Sequence, residues 1–136
     1  MRLPVGATGR EPGFTLVEVL IASAILGILA TMALRLYHDA RDRSVLAVVQ
    51  HDLKALAVQQ ELFFGEHGKY AVLDSLADFV ASPEVEISIT DASAAGWAAR
   101  ANHRTLPGQS CVIYVGNAVP EIPGLVSSPG EIGCSR

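Results

Sequence analysis

The sequence predicts an α+β protein in which one long N-terminal helix is covered by a small antiparallel sheet of about three strands. Three observations carry that prediction. Residues 14–34 are almost uniformly apolar. A helical apolar stripe follows them without a glycine or proline between Gly27 and Gly65. The last third of the chain then alternates in the short β-branched runs of half-buried strands.

The apolar run, FTLVEVLIASAILGILATMAL, is 21 residues long and contains no Lys, Arg, Asp or Pro and one acid, Glu18. About 20 such residues span the hydrocarbon core of a bilayer. A helix apolar on every face needs either lipid or a large protein core, and a chain of 136 residues cannot enclose one. The run is therefore expected to be a membrane helix. Arg2 and Arg10 precede it, opposed by Glu11, so with the amino terminus the flank is positive. Positive charge before a first span holds that end in the cytoplasm and puts the remainder outside.

Past Leu36 the pattern turns amphipathic. Val45, Val49, Leu53, Leu56, Gln60 and Phe63 recur at steps of three and four, with Leu46 and Val48 widening the apolar face. Asp39, Asp42, Asp52, Lys54 and Glu61 are read as mostly off the stripe, and Asp39 with Arg43 as a surface ion pair. One helix over residues 15–64 results, stopped by Gly65 and Gly68. Leu73, Leu76, Ala77 and Val80 suggest a short helix ending before Pro83. Strands are expected at EVEISIT (84–90), GWAARANHR (96–104) and SCVIYVG (110–116). The tail from 117 to 136, rich in Pro and Gly, reads as loop.

Glu18 is the one costly residue of the span. A carboxylate near mid-membrane costs about 2.5–3.5 kcal/mol on insertion scales, less near an interface. It must reach water, be neutralised or meet a cation, and Arg35 lies 17 positions away. Snorkelling at the interface and an intermolecular partner both remain open on position alone.

Gly13-Phe14-Thr15-Leu16-Val17-Glu18, followed by VLIASAILGILA, resembles the N-terminal signal of type IV pilins and of type II secretion pseudopilins. The resemblance implies a leader of residues 1–13, cleavage after Gly13 by a prepilin peptidase that also N-methylates Phe14, and assembly through Glu18. It implies a division into leader (1–13), membrane and filament-core half-helix (14–36), and periplasmic or extracellular head (37–136). The precursor would sit singly spanning the inner membrane, leader in the cytoplasm, and the product in a surface fibre of the kind used in adhesion and twitching motility. The implied partners are further copies of the chain, the peptidase/methyltransferase, an inner-membrane platform protein, an assembly ATPase and an outer-membrane secretin. A pilus subunit is the leading reading and a periplasmic pseudopilus subunit the alternative; a membrane-tethered binding module stands third. The chain departs from many members in having Arg35, not proline, about twenty residues into the mature helix, so Gly27 alone would loosen it there, at roughly 1 kcal/mol of helix propensity.

Cys111 and Cys134 are the only cysteines. A disulfide between them would close the C-terminal tail, as in many type IV pilins, and the expected outside location permits it; two free thiols are the alternative. Net charge of −4 argues against a nucleic-acid partner. No enzyme, cofactor or metal is expected. The sequence carries no nucleophile elbow, phosphate loop or dinucleotide fingerprint. His38, His51, His67 and His103 lack ligand spacing, and Asp74, Asp78, Glu84, Glu86 and Asp91 do not form an EF-hand loop.

Overall fold

The computed structural model describes residues 13–135. The expected leader, apart from Gly13, lies outside the described residues. The chain divides into two compact units, one ending at His38 and one beginning at Asp39. Helix α1 (Leu16–His67) contributes to both.

In the first unit, α1 begins two residues after Phe14, and every residue from 13 to 38 is exposed. Leu16, Val17, Leu20, Ile21, Leu26 and Leu29 are among the large apolar side chains left uncovered. Two hydroxyls of the run are satisfied inside the helix: Ser23 Oγ donates to the Leu20 carbonyl at 2.9 Å and Thr31 Oγ1 to that of Ile28 at 2.7 Å. Such local bonding lets hydroxyls enter an apolar phase at low cost.

In the second unit, α1 lies against one face of a four-stranded antiparallel sheet. The strands are β1 (Val85–Ala92), β2 (Gly96–His103), β3 (Ser110–Gly116) and β4 (Ile132–Cys134), in the order β1-β2-β3-β4. Val49, Leu53 and Leu56 of the helix pack with Trp97, Ala99, Ala101, Cys111 and Ile113 of the sheet. The alternation in β2 puts Trp97, Ala99 and Ala101 on the helix side, as period two requires. Ala98 and Val112 are also buried, because the chain after β3 folds back over the other face. Arg100 reaches Glu121 of that returning segment at 2.9 Å and the Ser110 hydroxyl at 3.0 Å. Gly133 has no room for a side chain, since a Cβ there would collide with the Leu125 carbonyl.

Several local expectations are corrected. The tail contains a strand. β4 pairs with β3 in the register Cys111↔Cys134, Val112↔Gly133, Ile113↔Ile132, and the Cys111–Cys134 disulfide joins the first of these pairs. Its partner and cross-link are distant in sequence, so local composition could not reveal it. The helix expected over 73–80 is only a 3-10 turn, Leu73–Ser75. Leu76 is buried there while Val80 is 86% exposed. With Asp and Ser in the segment, one buried leucine does not offset the cost of nucleating a helix. Gly65 does not stop α1, which ends at His67 before Gly68 with φ +66°; a left-handed C′ glycine is the usual terminator.

On the stripe, Val48 is 37% exposed and so does not widen the buried face. Asp52, expected off the stripe, is buried. It lies three residues after Val49 and four before Leu56, so geometry places it inward. Ser82 makes this tolerable: its backbone N–H donates to Asp52 Oδ2 at 2.7 Å and its hydroxyl to Oδ1 at 2.8 Å. Gln60 fills its slot as expected and is fully buried; it accepts from the Ala71 N–H at 2.8 Å and donates to the Ala71 carbonyl at 2.7 Å. Asp39 and Arg43 form no ion pair; the described ones include Arg100 with Glu121 and Arg104 with Glu86.

Candidate functional site

The residues singled out at the N-terminal end are Gly13, Phe14 and Glu18. Gly13 and Phe14 precede the helix in irregular chain, Phe14 is 87% exposed, and among the described residues no atom approaches the position a Cβ would take on Gly13.

Glu18 is tied to Thr15. The Thr15 hydroxyl accepts from the Glu18 N–H at 3.2 Å. One carboxylate oxygen, Oε2, accepts from both the Thr15 N–H and the Thr15 hydroxyl, each at 3.2 Å. This reciprocal pairing is a capping box, in which an N-cap Thr and an acid three residues on satisfy two of the orphan donors of a helix start. The acid also sits where the positive end of the helix dipole favours it. The sequence reading missed this role, although its signal, Thr-x-x-Glu ahead of an apolar run, was present. Among the described residues Oε1 of Glu18 has no hydrogen-bond partner.

The apolar window of α1 has a mean hydropathy of 2.3 and is wholly uncovered. Length and composition suffice to cross a membrane, and an exposed apolar surface this continuous calls for lipid or partner helices.

At the other end of the chain, Cys111 and Cys134 are joined with a Cα–Cα distance of 4.0 Å, and neither is a free thiol. The Gln50 side-chain amide donates to Cys134 Sγ at 3.3 Å. These cysteines are remote in sequence from Gly13, Phe14 and Glu18 and act on the sheet, where they tie β4 to β3. Among the described residues, no three His, Cys, Asp or Glu side chains converge to hold a metal.

Comparison with known proteins bears on the N-terminal segment. Residues 9–34 match the family described as the prokaryotic N-terminal methylation motif. The chain is 40% identical over 62 residues to the type IV major pilin protein PilA of Myxococcus xanthus (strain DK1622), covering 46% of this chain and 28% of that one. It is 35% identical over 71 residues to the fimbrial protein EcpB of Eikenella corrodens, covering 52% of this chain and 44% of that one. The match thus spans less than half the length of either relative. The chain carries the methylation motif over residues 9–34 and is similar, over about half its length, to proteins named as a type IV pilin and a fimbrial protein.

Proposed function

We propose that this protein is a structural subunit of a type IV pilus, made as a membrane-anchored precursor and polymerised after processing. The observation that carries the proposal is a single carboxylate, Glu18, near the start of an uncovered 21-residue apolar run that opens with Phe14 directly after Gly13.

In this reading residues 1–13 are a cytoplasmic leader, residues 14–36 the membrane anchor and later the filament core, and residues 37–136 the head. A prepilin peptidase cuts after Gly13 and methylates the Phe14 amine. The new amine is the cation that the span otherwise lacks. Its pairing with the Oε1 side of Glu18, on its own or a neighbouring subunit, recovers part of the burial cost of the carboxylate and sets axial register between chains. The apolar helices stack as the fibre core and the heads form its shell. Work for extraction from the membrane comes from an ATPase acting through a platform protein, and a secretin carries the fibre outward. The closure of the tail by the disulfide suits a surface fibre, exposed to an oxidising medium.

The capping box supplies a local purpose for Glu18 that competes with assembly, and substitutions separate the two. Glu18→Gln retains a side chain able to serve in a capping box and removes the charge. It is expected to be made and processed but to give fibres reduced at least about tenfold, a loss equivalent to one interaction of roughly 1.4 kcal/mol. Thr15→Ala removes the cap, at about 1 kcal/mol, and is expected to polymerise. Normal piliation by Glu18→Gln would refute the assembly role. Mass spectrometry of the fibre subunit should find a chain beginning at Phe14 with one added methyl group; an intact Met1 removes the processing step.

A further inference from the structure

The two edges of the sheet are unlike. β1 carries Glu86 and Asp91 and is irregular between Ile89 and Asp91, features that discourage edge pairing. β4 has neither protection. Its residues alternate in pairing. The Ser135 N–H donates to the Ser110 carbonyl and the Ser110 N–H to the Ser135 hydroxyl, so the backbone groups of the 110/135 and 112/133 pairs face each other while those of 111/134 and 113/132 do not. The N–H and C=O groups of Ile132 and Cys134 therefore point away from β3, and no described residue pairs with them.

That edge borders a groove along α1. A cavity of 770 Å³ is lined by Asp39, Asp42, Arg43, Gln50, Gln109 and Cys134, among others. A second, of 430 Å³, continues past Gln50 to Lys54, Val58 and Ile132. The helix rises about 28 Å between residues 39 and 58, room for about eight residues of extended chain. The groove is polarised. Among the described residues, two carboxylates against one guanidinium stand at the Cys134 end, where the Gln109 Oε1 is also a buried acceptor with no partner. Lys54 stands at the Ile132 end.

We propose that this groove binds an extended segment of another protein, which adds to β4 as a fifth, antiparallel strand. Antiparallel addition runs the guest from the Cys134 end to the Ile132 end. Its N-terminal part then lies by Asp39, Asp42 and Gln109, and its C-terminal part by Lys54. The fitting segment carries basic residues first, alternating apolar residues in the middle and an acid last. The two outward residues of β4 supply backbone bonds, and the helix side chains supply selectivity, the division of labour usual in strand addition. A second copy joined β1 to β4 is disfavoured, because β1 would bring Glu86 and Asp91 to a groove already acidic at one end.

The test uses the full chain in detergent micelles and a fluorescent octapeptide of alternating valine and threonine, with two arginines at its N-terminal end and a glutamate at its C-terminal end. Saturable binding is expected, with slowed amide exchange at Ile132 and Cys134. A twin peptide with the charges reversed should bind at least about tenfold more weakly. The variant combining Asp42→Lys and Lys54→Glu, both on the helix surface, should invert that preference. Absence of binding, binding indifferent to charge reversal, or unprotected Ile132 and Cys134 amides overturns the proposal. So does protection of those amides by the chain alone that disappears on dilution, which would identify a second copy as the occupant.

Discussion

Gln60 shows what one polar residue does at an apolar position. Its side chain closes both backbone groups of Ala71, which are buried beneath the turn that follows α1 and cannot reach water. Gln60→Ala leaves an N–H and a C=O unpaired and opens a cavity, for a loss of about 2–4 kcal/mol in denaturant unfolding. Gln60→Leu refills the space but not the bonds, and should fall between wild type and Gln60→Ala. Tyr70, adjacent to the same turn, is a residue that links stability to pH. Burial raises its pKa above the ordinary 10.0, aided by the nearby Glu61 carboxylate and by the hydrogen bond the phenol donates to it. The native state therefore holds this proton more tightly than the unfolded chain. The associated stability is whole below pH 10.0 and is lost as pH rises through the higher native value. Unfolding followed between pH 9 and 12 should show an alkaline decline that is shallower in Tyr70→Phe; equal slopes would remove Tyr70 from the account. At this scale the sequence was partly legible. It placed Gln60 on the stripe but not its partner, and it misread Asp52, because the Ser82 donors that satisfy Asp52 arrive from 30 residues away.

Among the elements, those with a strong period of their own were readable. β3 appears over the residues its β-branched run marks, and β1 and β2 differ from expectation only at their ends. α1 begins one residue later and ends three residues beyond the expected limits, since a single interior glycine costs only about 1 kcal/mol against a long packed helix. The elements that were misread are short. A three-residue strand and a 3-10 turn contain too few residues to establish a period, and each exists because something distant holds it. For β4 that is β3 and the disulfide; for the segment after residue 75 it is the burial of Leu76 and the bonds from Ser82 to Asp52. Gly133, which locally argues against a strand, is required there because the returning chain at Leu125 passes directly over it.

For the whole molecule, the unit that begins at Asp39 depends on tying its tail down. The disulfide bridges a sequence separation of 23, and chain-entropy arithmetic assigns such a loop about 3 kcal/mol. The ion pair from Arg100 on β2 to Glu121 in the loop, with the burial of Ala118 and Val126, fastens the returning segment over the sheet. Replacing both cysteines by serine should lower unfolding free energy by about that amount and release the amides of β4 to fast exchange, while β1, β2 and α1 remain protected. If the sheet melts as one unit instead, the tail contributes to the core and is not merely fastened onto it.

The sequence by itself determined the apolar run, the position of its lone acid, the amphipathic continuation of the helix and three of the four strands. Each is a matter of residue spacing within one segment, which hydrophobicity and backbone period report directly. Only the tertiary structure decided that the tail forms a fourth strand, that Asp52 is an interior residue, and that one sheet edge lies open beside a charged groove. Those features arise where segments far apart in the chain meet, and a linear pattern holds no record of which donor, acceptor or cysteine will be opposite another once the helix and sheet have packed.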